Sequence, residues 1–530
     1  MSPNASARFD VVVIGAGIAG IYALYRLREL GLRVRAFEEA DGVGGTWYWN
    51  GYPGCRFDIQ SREYSYSFSR ELLEEWDWSE LYTAQPENER YCNFVVDKLD
   101  LRRDIQLGTR VTSLTWDGGR SHWTVGLADG TSTTAQFVVG AIGDFSREYV
   151  PSYPGFDDYQ GVWAHTSRWP REGIELEGKR VGVIGTGSTG VQVIQEVAKI
   201  ASQLVVFQRT ATYCLPLRNR PIGPAEMRQI KDGYAELFKF CLEHNTLSIP
   251  TDPRSAYDLT KEERLAYYER IWQGDPPLDI LGLWDEAWDP GPINDELSEF
   301  LKGKIREQVD DAIIAEKLVP NDHGFGAKRP VAEEGYYAAF NRNNVELVDL
   351  KADPIERFTA TGIKTRDHES ELDVVVFATG FDIVTGPLSA IEIRGEGGRT
   401  LREHFADGFR SHLHIMFAGF PNFYLPSPAV TGNFVRAIEP LIDWIGEMIC
   451  YVQRAGATQI VPTNEAEESW TQFGLKQVTE NPFFTKSKYV GANIPGKPFV
   501  PTNMVFEPEG KFRARRAEIA AGGYREFAMG

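Results

Sequence analysis

One arrangement occurs twice in the 530 residues, and it restricts the fold more than any other feature. The apolar run Phe9 to Ile14 leads into Gly15-Ala16-Gly17-Ile18-Ala19-Gly20, a stretch of helical character through Leu30, and a short apolar run from Arg33 to Phe37. Arg180 to Ile184 leads into Gly185-Thr186-Gly187-Ser188-Thr189-Gly190, a helical stretch through Ile200, and an apolar run from Gln203 to Phe207. A strand, a three-glycine turn, a helix and a second strand make the dinucleotide-binding βαβ unit. The expected class is α/β, with two Rossmann-like dinucleotide-binding domains.

The two turns differ in what they admit. In the first, Gly15 permits the tight turn, Gly17 lets the backbone approach a pyrophosphate, and Gly20 lets the helix close on the sheet. The helix N-terminus then faces the phosphates. Glu38 follows Gly20 by 18 residues, where a carboxylate accepts hydrogen bonds from ribose hydroxyls and repels a 2′-phosphate, so this site suits FAD or NAD. In the second, the matching position holds Arg209, with Thr210 after it. A guanidinium there pairs with a 2′-phosphate and stacks on adenine, which favours NADP. Two sites of opposite charge preference imply a flavoprotein reduced by NADPH.

The rest of the chain is arranged around these units. Leu107 to Gly143 reads as antiparallel strands returning to a final strand, Gln136 to Ile142. Charged stretches such as Leu259 to Trp272 and Asn294 to Lys317 predict helices, and Asp373 to Gly380 a returning apolar strand. The expected division is an FAD-binding domain from 1–145 and 383–530, an NADP-binding domain from 146–220 and 331–382, and a helical insertion from 221–330. Lys511, Arg513, Arg515 and Arg516 read as a solvated helix face.

Composition excludes several classes. A net charge of −19 repels nucleic acid and anionic lipid. The uncharged stretch Val11 to Tyr25 is shorter than the roughly 20 residues a bilayer span needs, and its glycines fit a phosphate turn better than an export signal. The five cysteines, Cys55, Cys92, Cys214, Cys241 and Cys450, include no Cys-x-x-Cys pair. Neither a disulfide framework nor a dithiol redox centre is expected, and a reducing, cytoplasmic setting fits. His412 and His414 alternate as if on one side of a strand, but no third ligand stands at a metal-binding spacing. Thr186 occupies the place where a serine nucleophile elbow around Ser188 needs glycine.

With disulfide transfer excluded, reduced flavin has oxygen or an electron carrier left to serve, and two further segments narrow the choice. Gly44-Gly45-Thr46-Trp47 runs into Tyr52-Pro53-Gly54 and then Asp58. Tyr159-Gln160-Gly161 precedes His165, which precedes Trp169-Pro170. These resemble, in order and spacing, the two diagnostic patterns of type I Baeyer–Villiger monooxygenases; the one departure is Tyr159, where the family has Phe. The similarity runs from the first glycine turn to Asn493-Ile494-Pro495-Gly496-Lys497. It implies an enzyme that uses FAD, NADPH and O2 to turn a ketone into an ester or lactone, as a monomer or homo-oligomer.

The resemblance also implies roles. Phe325-Gly326-Ala327-Lys328-Arg329-Pro330 looks like the family's active-site segment. Lys328 would bind the 2′-phosphate, and Arg329, oriented by Asp58, would stabilise an anionic flavin C4a-peroxide and the charge of its addition to the ketone. Gly45, Thr46, Trp47, Asp58, Tyr64 and Val111 would lie with Glu38 along FAD. Thr186, Ser188 and Thr189 would lie along NADP with Arg209 and Thr210. His165 is expected at the domain junction as a structural or conformational residue. Lys488 stands where many members carry a loop tryptophan, and Tyr424 to Glu439, with Phe434, is a candidate pocket wall. Flavin N- or S-oxygenation, and a redox sensor without turnover, remain alternatives at this point.

Overall fold

A computed structural model describes residues 8–244, 246–274, 277–427, 432–480, 490–497 and 509–530. The larger sheet has eight strands. Six come in succession: β1 (Arg8–Ile14), β2 (Val34–Phe37), β3 (Ile105–Gln106), β4 (Val111–Asp117), β5 (His122–Leu127) and β6 (Ser132–Val139). Glu392–Arg394 pairs with β4 and Phe423–Tyr424 with β6; the main order is Glu392–Arg394, β4, β5, β6, β1, β2, β3. β1 is parallel to both β2 and β6, and Val11, Val12 and Val13 have no exposed surface. A strand covered on both faces needs no polar alternation, which explains the unbroken apolar run. β4, β5 and β6 are antiparallel to one another in turn, as the sequence predicts for this stretch.

The second sheet holds β7 (Val162–His165), β8 (Arg180–Ile184), β9 (Gln203–Gln208) and the strands Val345–Asp349 and Val374–Phe377. All five are parallel, in the order Val345–Asp349, β9, β8, Val374–Phe377, β7. Helices Ile18–Glu29 and Ser188–Ile200 follow the two glycine turns, close to their predicted spans.

Between β9 and Val345–Asp349 the chain makes a helical excursion. It leaves along Cys214–Pro216 and returns along Val331–Glu333, and these two short strands pair in parallel. Lys261–Gln273 matches a predicted helix, but Asn294 to Lys317 is two helices, Pro292–Gln308 and Ala312–Leu318. Asp311 makes the break. Its carboxylate accepts the N–H groups of Ile313 and Ile314, so it caps a new helix.

The C-terminal region covers the first βαβ unit. Helix Phe434–Arg454 lies on Ile18–Glu29, and a side chain at Gly446 would strike Leu30. Asp443 accepts hydrogen bonds from the Tyr22 hydroxyl (2.9 Å) and Arg26 Nε (2.7 Å) across that contact. Among the described residues no helix is long and apolar enough to cross a membrane.

Two sequence expectations fail here. Arg516 is not solvated: it is 2% exposed, and its guanidinium donates at 2.5 Å to Glu509, which is fully buried. His412 and His414 do not share a strand face, because Leu413 and His414 both take left-handed backbone (φ 54° and 62°) and close a turn. His412 faces Glu526 (2.9 Å), and His414 lies 3.2 Å from the Ser427 carbonyl. All five cysteines are free, and four are buried.

His165 ends β7, with its ring edge-on to Phe381 (5.8 Å). Its Nδ1 accepts the Ser167 N–H (3.2 Å) and lies 2.8 Å from the Ser167 hydroxyl. Burial pushes the imidazole down from 6.5 to about 4, with Arg168 acting in the same direction against Glu148. The unfolded chain therefore takes up this proton from pH 6.5 downward, and the folded protein only near pH 4. This contribution to stability is complete above pH 6.5 and is lost between pH 6.5 and 4, by about 3 kcal/mol. His165→Gln should unfold with a flatter pH dependence across that window in denaturant titrations; parallel curves for variant and wild type would refute the assignment. Arg516→Met should cost about 3 kcal/mol, because it leaves Glu509 buried and unpaired, whereas the double change to methionine at 509 and 516 should recover most of the loss in thermal unfolding.

Candidate active site

The site grows out of the first glycine turn. Gly15 has φ +98°, and a Cβ there would fall 2.4 Å from the Ala141 carbonyl oxygen. A Cβ at Gly20 would fall 2.0 Å from the Gly15 oxygen. Gly17 faces a different neighbour. Its missing side chain points at Gly45, at φ +56°, so two glycines from separate loops meet backbone to backbone. Gly45 starts the short helix Thr46–Trp49. Two helix N-termini, at Ile18 and Thr46, thus flank a cradle with no side chain on either wall, which is what a pyrophosphate requires.

Glu38 closes one end. It is 5% exposed, and its two oxygens accept the N–H groups of Ala16 (2.6 Å) and Ala40 (2.9 Å). Burial raises its proton affinity, and these two bonds oppose that. Val111 opens β4, where its side chain is buried. Beyond the cradle, Trp47 stands edge-on to Phe57 (4.7 Å) and Tyr64 (5.8 Å), and Phe57 packs on Tyr64 at 4.0 Å. These rings make one apolar wall.

Asp58 and Arg329 meet at the end of that wall. Arg329 donates from Nε to Oδ2 (3.1 Å) and from Nη2 to Oδ1 (2.8 Å), a two-point contact across 271 residues of sequence. Burial raises the Tyr64 phenol, and the Asp58 and Arg329 charges both act on it, so the pair borders the aromatic wall. The loop that delivers Arg329 is fixed from behind. Asn294 donates to the Phe325 carbonyl, Ser298 accepts the Phe325 N–H, and a side chain at Gly326 (φ +85°) would strike the Trp288 ring. Helix Pro292–Gln308 and the return strand Val331–Glu333 therefore set where residue 329 emerges.

The second glycine turn repeats the first with one difference. A Cβ at Gly185 would fall 2.5 Å from the Ala378 oxygen, and one at Gly190 would fall 2.2 Å from the Gly185 oxygen, but a Cβ at Gly187 would meet nothing within 4 Å. The backbone at 187 is open to an incoming phosphate. Thr186 donates to the Thr210 carbonyl (2.7 Å), tying the turn to the end of β9, and Thr189 reaches the Thr166 hydroxyl (3.3 Å). Ser188 is part-exposed, and Arg209 stands exposed one residue beyond β9.

The sequence did not single out two arginines that join the sheets. Arg168 lies over the Trp49 ring (4.2 Å) while donating to Glu39 (3.0 Å) and the Ser146 carbonyl (3.2 Å). Arg171 lies over Tyr48 (4.4 Å) and binds Glu89 through both Nη atoms. Both occupy unspecified places in or beside the second pattern, and only their spatial neighbours mark them. Asn493 donates to the Phe381 carbonyl (3.1 Å), and Lys497 to Asp382 (2.5 Å) and the Ile383 carbonyl (2.8 Å), which pins the segment after the loop of interest. Lys488 itself, and positions 428–431 within the stretch Tyr424 to Glu439, lie outside the described residues.

Residues 9–233 match the pyridine nucleotide-disulphide oxidoreductase family. The chain is 41% identical to acetone monooxygenase (methyl acetate-forming) of Gordonia sp. strain TY-5, over 98% of this chain and 99% of that protein. It is also 41% identical to phenazine N-monooxygenase PhzNO1 of Lysobacter antibioticus, over 100% and 98%. To a Baeyer–Villiger monooxygenase of Pseudooceanicola batsensis it is 40% identical, over 93% and 91%. The solved structure of oxidized steroid monooxygenase bound to NADP superposes with a TM-score of 0.92 at 43% identity, covering 99% of each chain. With two glycine cradles, an aromatic wall ending in Asp58 and Arg329, and relatives matched over their full lengths, this chain belongs to the Baeyer–Villiger monooxygenases.

Proposed function

We propose that this chain is an FAD- and NADPH-dependent monooxygenase that inserts one oxygen atom beside a ketone carbonyl, giving an ester or lactone. The carrying observation is the two-point Asp58–Arg329 contact beside the aromatic wall. In this reading the larger sheet holds FAD, with Gly15, Gly17, Gly20 and Gly45 around the pyrophosphate and Glu38 at a ribose. Thr46, Trp47, Tyr64 and Val111 lie along the rest of the molecule. The smaller sheet holds NADPH, with Gly185, Thr186, Gly187, Ser188, Thr189 and Gly190 at the pyrophosphate, and Arg209, Thr210 and Lys328 at the 2′-phosphate. The cradles fit these groups sterically, since the colliding Cβ positions and the open Gly187 are those a dinucleotide needs.

The bound flavin, reduced by NADPH, supplies the activation of O2. The protein supplies charge and exclusion of water. Oxygen addition to a carbonyl carbon builds negative charge on the carbonyl oxygen, and the Arg329 guanidinium is a fixed donor for it. An arginine keeps its charge in a partly desolvated place, whereas a lysine or histidine there would lose it. Asp58 fixes the plane of the guanidinium by gripping it at two points. Trp47, Phe57 and Tyr64 exclude water from one side and raise the electrostatic worth of that donor. The five unpaired thiols, four of them buried, suit a reducing cytoplasm.

A second reading has one specific support. The phenazine N-monooxygenase relative shows that a chain this similar is named for nitrogen oxygenation. Purified protein given NADPH, O2, a ketone panel, a thioether and phenazine separates the two. Ester or lactone by mass spectrometry is expected; N-oxide or sulfoxide with no ester from any ketone would overturn the ketone reading. Arg329→Ala should still accept hydride from NADPH, seen as flavin bleaching under anaerobic conditions, while ester formation falls by about a hundredfold or more. Asp58→Ala should lose about tenfold, because the guanidinium remains without its orienting partner. Ketone oxygenation at wild-type rate by the Arg329 variant would refute the assigned role.

A further inference from the structure

A second charged cluster lies at the same end of the five-stranded sheet as Arg209. The strand Val345–Asp349 flanks β9 in parallel, with Asp349 opposite Gln208. Beyond that pair, the Leu350 N–H donates to the Gln208 carbonyl at 2.8 Å. The two chains therefore leave the sheet side by side, Arg209 on one and Lys351 on the other. Lys351 Nζ is 2.8 Å from Asp322 Oδ2, and Asp322 Oδ1 is 2.5 Å from His323 Nδ1. His323 is held in turn by the Tyr213 ring, edge-on at 5.6 Å, whose hydroxyl donates to the His323 carbonyl (3.3 Å).

Lys328 acts on the same cluster. Burial opposes the charged form of Asp322, yet the bonds from Lys351 and His323, with the positive charge of Lys328, hold its carboxyl well below the usual range. Burial lowers the His323 imidazole, and Lys328 and Lys351 push it the same way against Asp322. One carboxylate thus sits among two lysines at the end of the sheet from which Arg209 also emerges.

We propose that Lys351 is a further recognition group for the 2′-phosphate, kept within reach of Arg209 and Lys328 by Asp322. The inference rests on the NADPH reading of the smaller sheet. Neither Lys351 nor Asp322 stands in a glycine turn or in either diagnostic pattern. The Lys351 side chain is 56% exposed, and ion pairs this exposed are weak, so its ammonium can pass from carboxylate to phosphate at little cost. Asp322 does two opposed things. It keeps like charges apart before the nucleotide arrives, and it opposes the phosphate afterwards. A nucleotide with a free 2′-hydroxyl gains nothing from either group, so the pair tunes the choice between the phosphorylated and unphosphorylated cofactor.

The opposed roles give variants of opposite sign. In calorimetric titrations of the full-length flavin-loaded protein at low salt, the probes are 2′,5′-ADP and 5′-ADP. Lys351→Ala should bind 2′,5′-ADP about threefold to tenfold more weakly, with 5′-ADP unchanged, and Lys351→Arg should restore most of the loss. Asp322→Asn keeps an acceptor for His323 and removes the negative charge; it should bind 2′,5′-ADP about twofold to fivefold more tightly, an effect that disappears near 0.5 M salt. Arg209→Ala serves as the reference. If it abolishes the preference for 2′,5′-ADP while both Lys351→Ala and Asp322→Asn bind like wild type, the role of Lys351 is overturned and the site stands. If Arg209→Ala also binds both probes like wild type, the nucleotide site itself has been misassigned.

Discussion

In the proposed reading, the chemistry depends on keeping one guanidinium charged, aimed and only partly wet. Arg329 and Asp58 accomplish this as a pair. The aspartate comes from the loop after the short helix Thr46–Trp49 and the arginine from the end of the helical excursion, so neither element alone can build the site. A guanidinium gripped at two points has a fixed plane, and a fixed plane presents its remaining protons in fixed directions. The aromatic wall then decides how strongly those protons act. Removing the carboxylate would leave a mobile cation; removing the arginine would leave an acid with no task.

Much of this was legible in the sequence because it is local. Three glycines at fixed spacing after an apolar run specify a turn, a helix start and a parallel partner strand, and both copies form as read. The Asp58–Arg329 contact was reachable through resemblance, because two ordered patterns fix their neighbourhoods. What stayed hidden depends on distant neighbours. Arg516 looked like one of four basic residues on a wet helix, but Glu509 lies one side of the same helix under the core, and a buried carboxylate draws its partner inward. His412 and His414 looked like alternate strand residues; left-handed backbone at 413 and 414 turned them apart. Arg168, Arg171 and Lys351 carry no spacing that marks them, and only their neighbours in space show what they touch.

The two sheets share a solution to the same steric problem and, in the proposed assignment, differ where their ligands differ. Both glycine turns bury the first and third glycines against backbone, so that helix and sheet close tightly. At the second glycine one turn meets another loop and the other opens to solvent. The first cradle is therefore walled by protein on two sides, as suits a cofactor that stays. The second is open, as suits one that arrives, is oxidised and leaves. The charges follow the same division, with a buried carboxylate at the end of β2 and an exposed cation at the end of β9.

The root of the helical excursion has a consequence for how such chains can diverge. Cys214–Pro216 and Val331–Glu333 run beside each other, so the long detour begins and ends at adjoining strands, and Trp288, Asn294 and Ser298 brace the loop before residue 329. Loops whose ends are already pinned change length at small entropic expense. Insertions or deletions elsewhere in the detour would leave the guanidinium where it was. The architecture gives natural drift or a designer room to trade one detour for another.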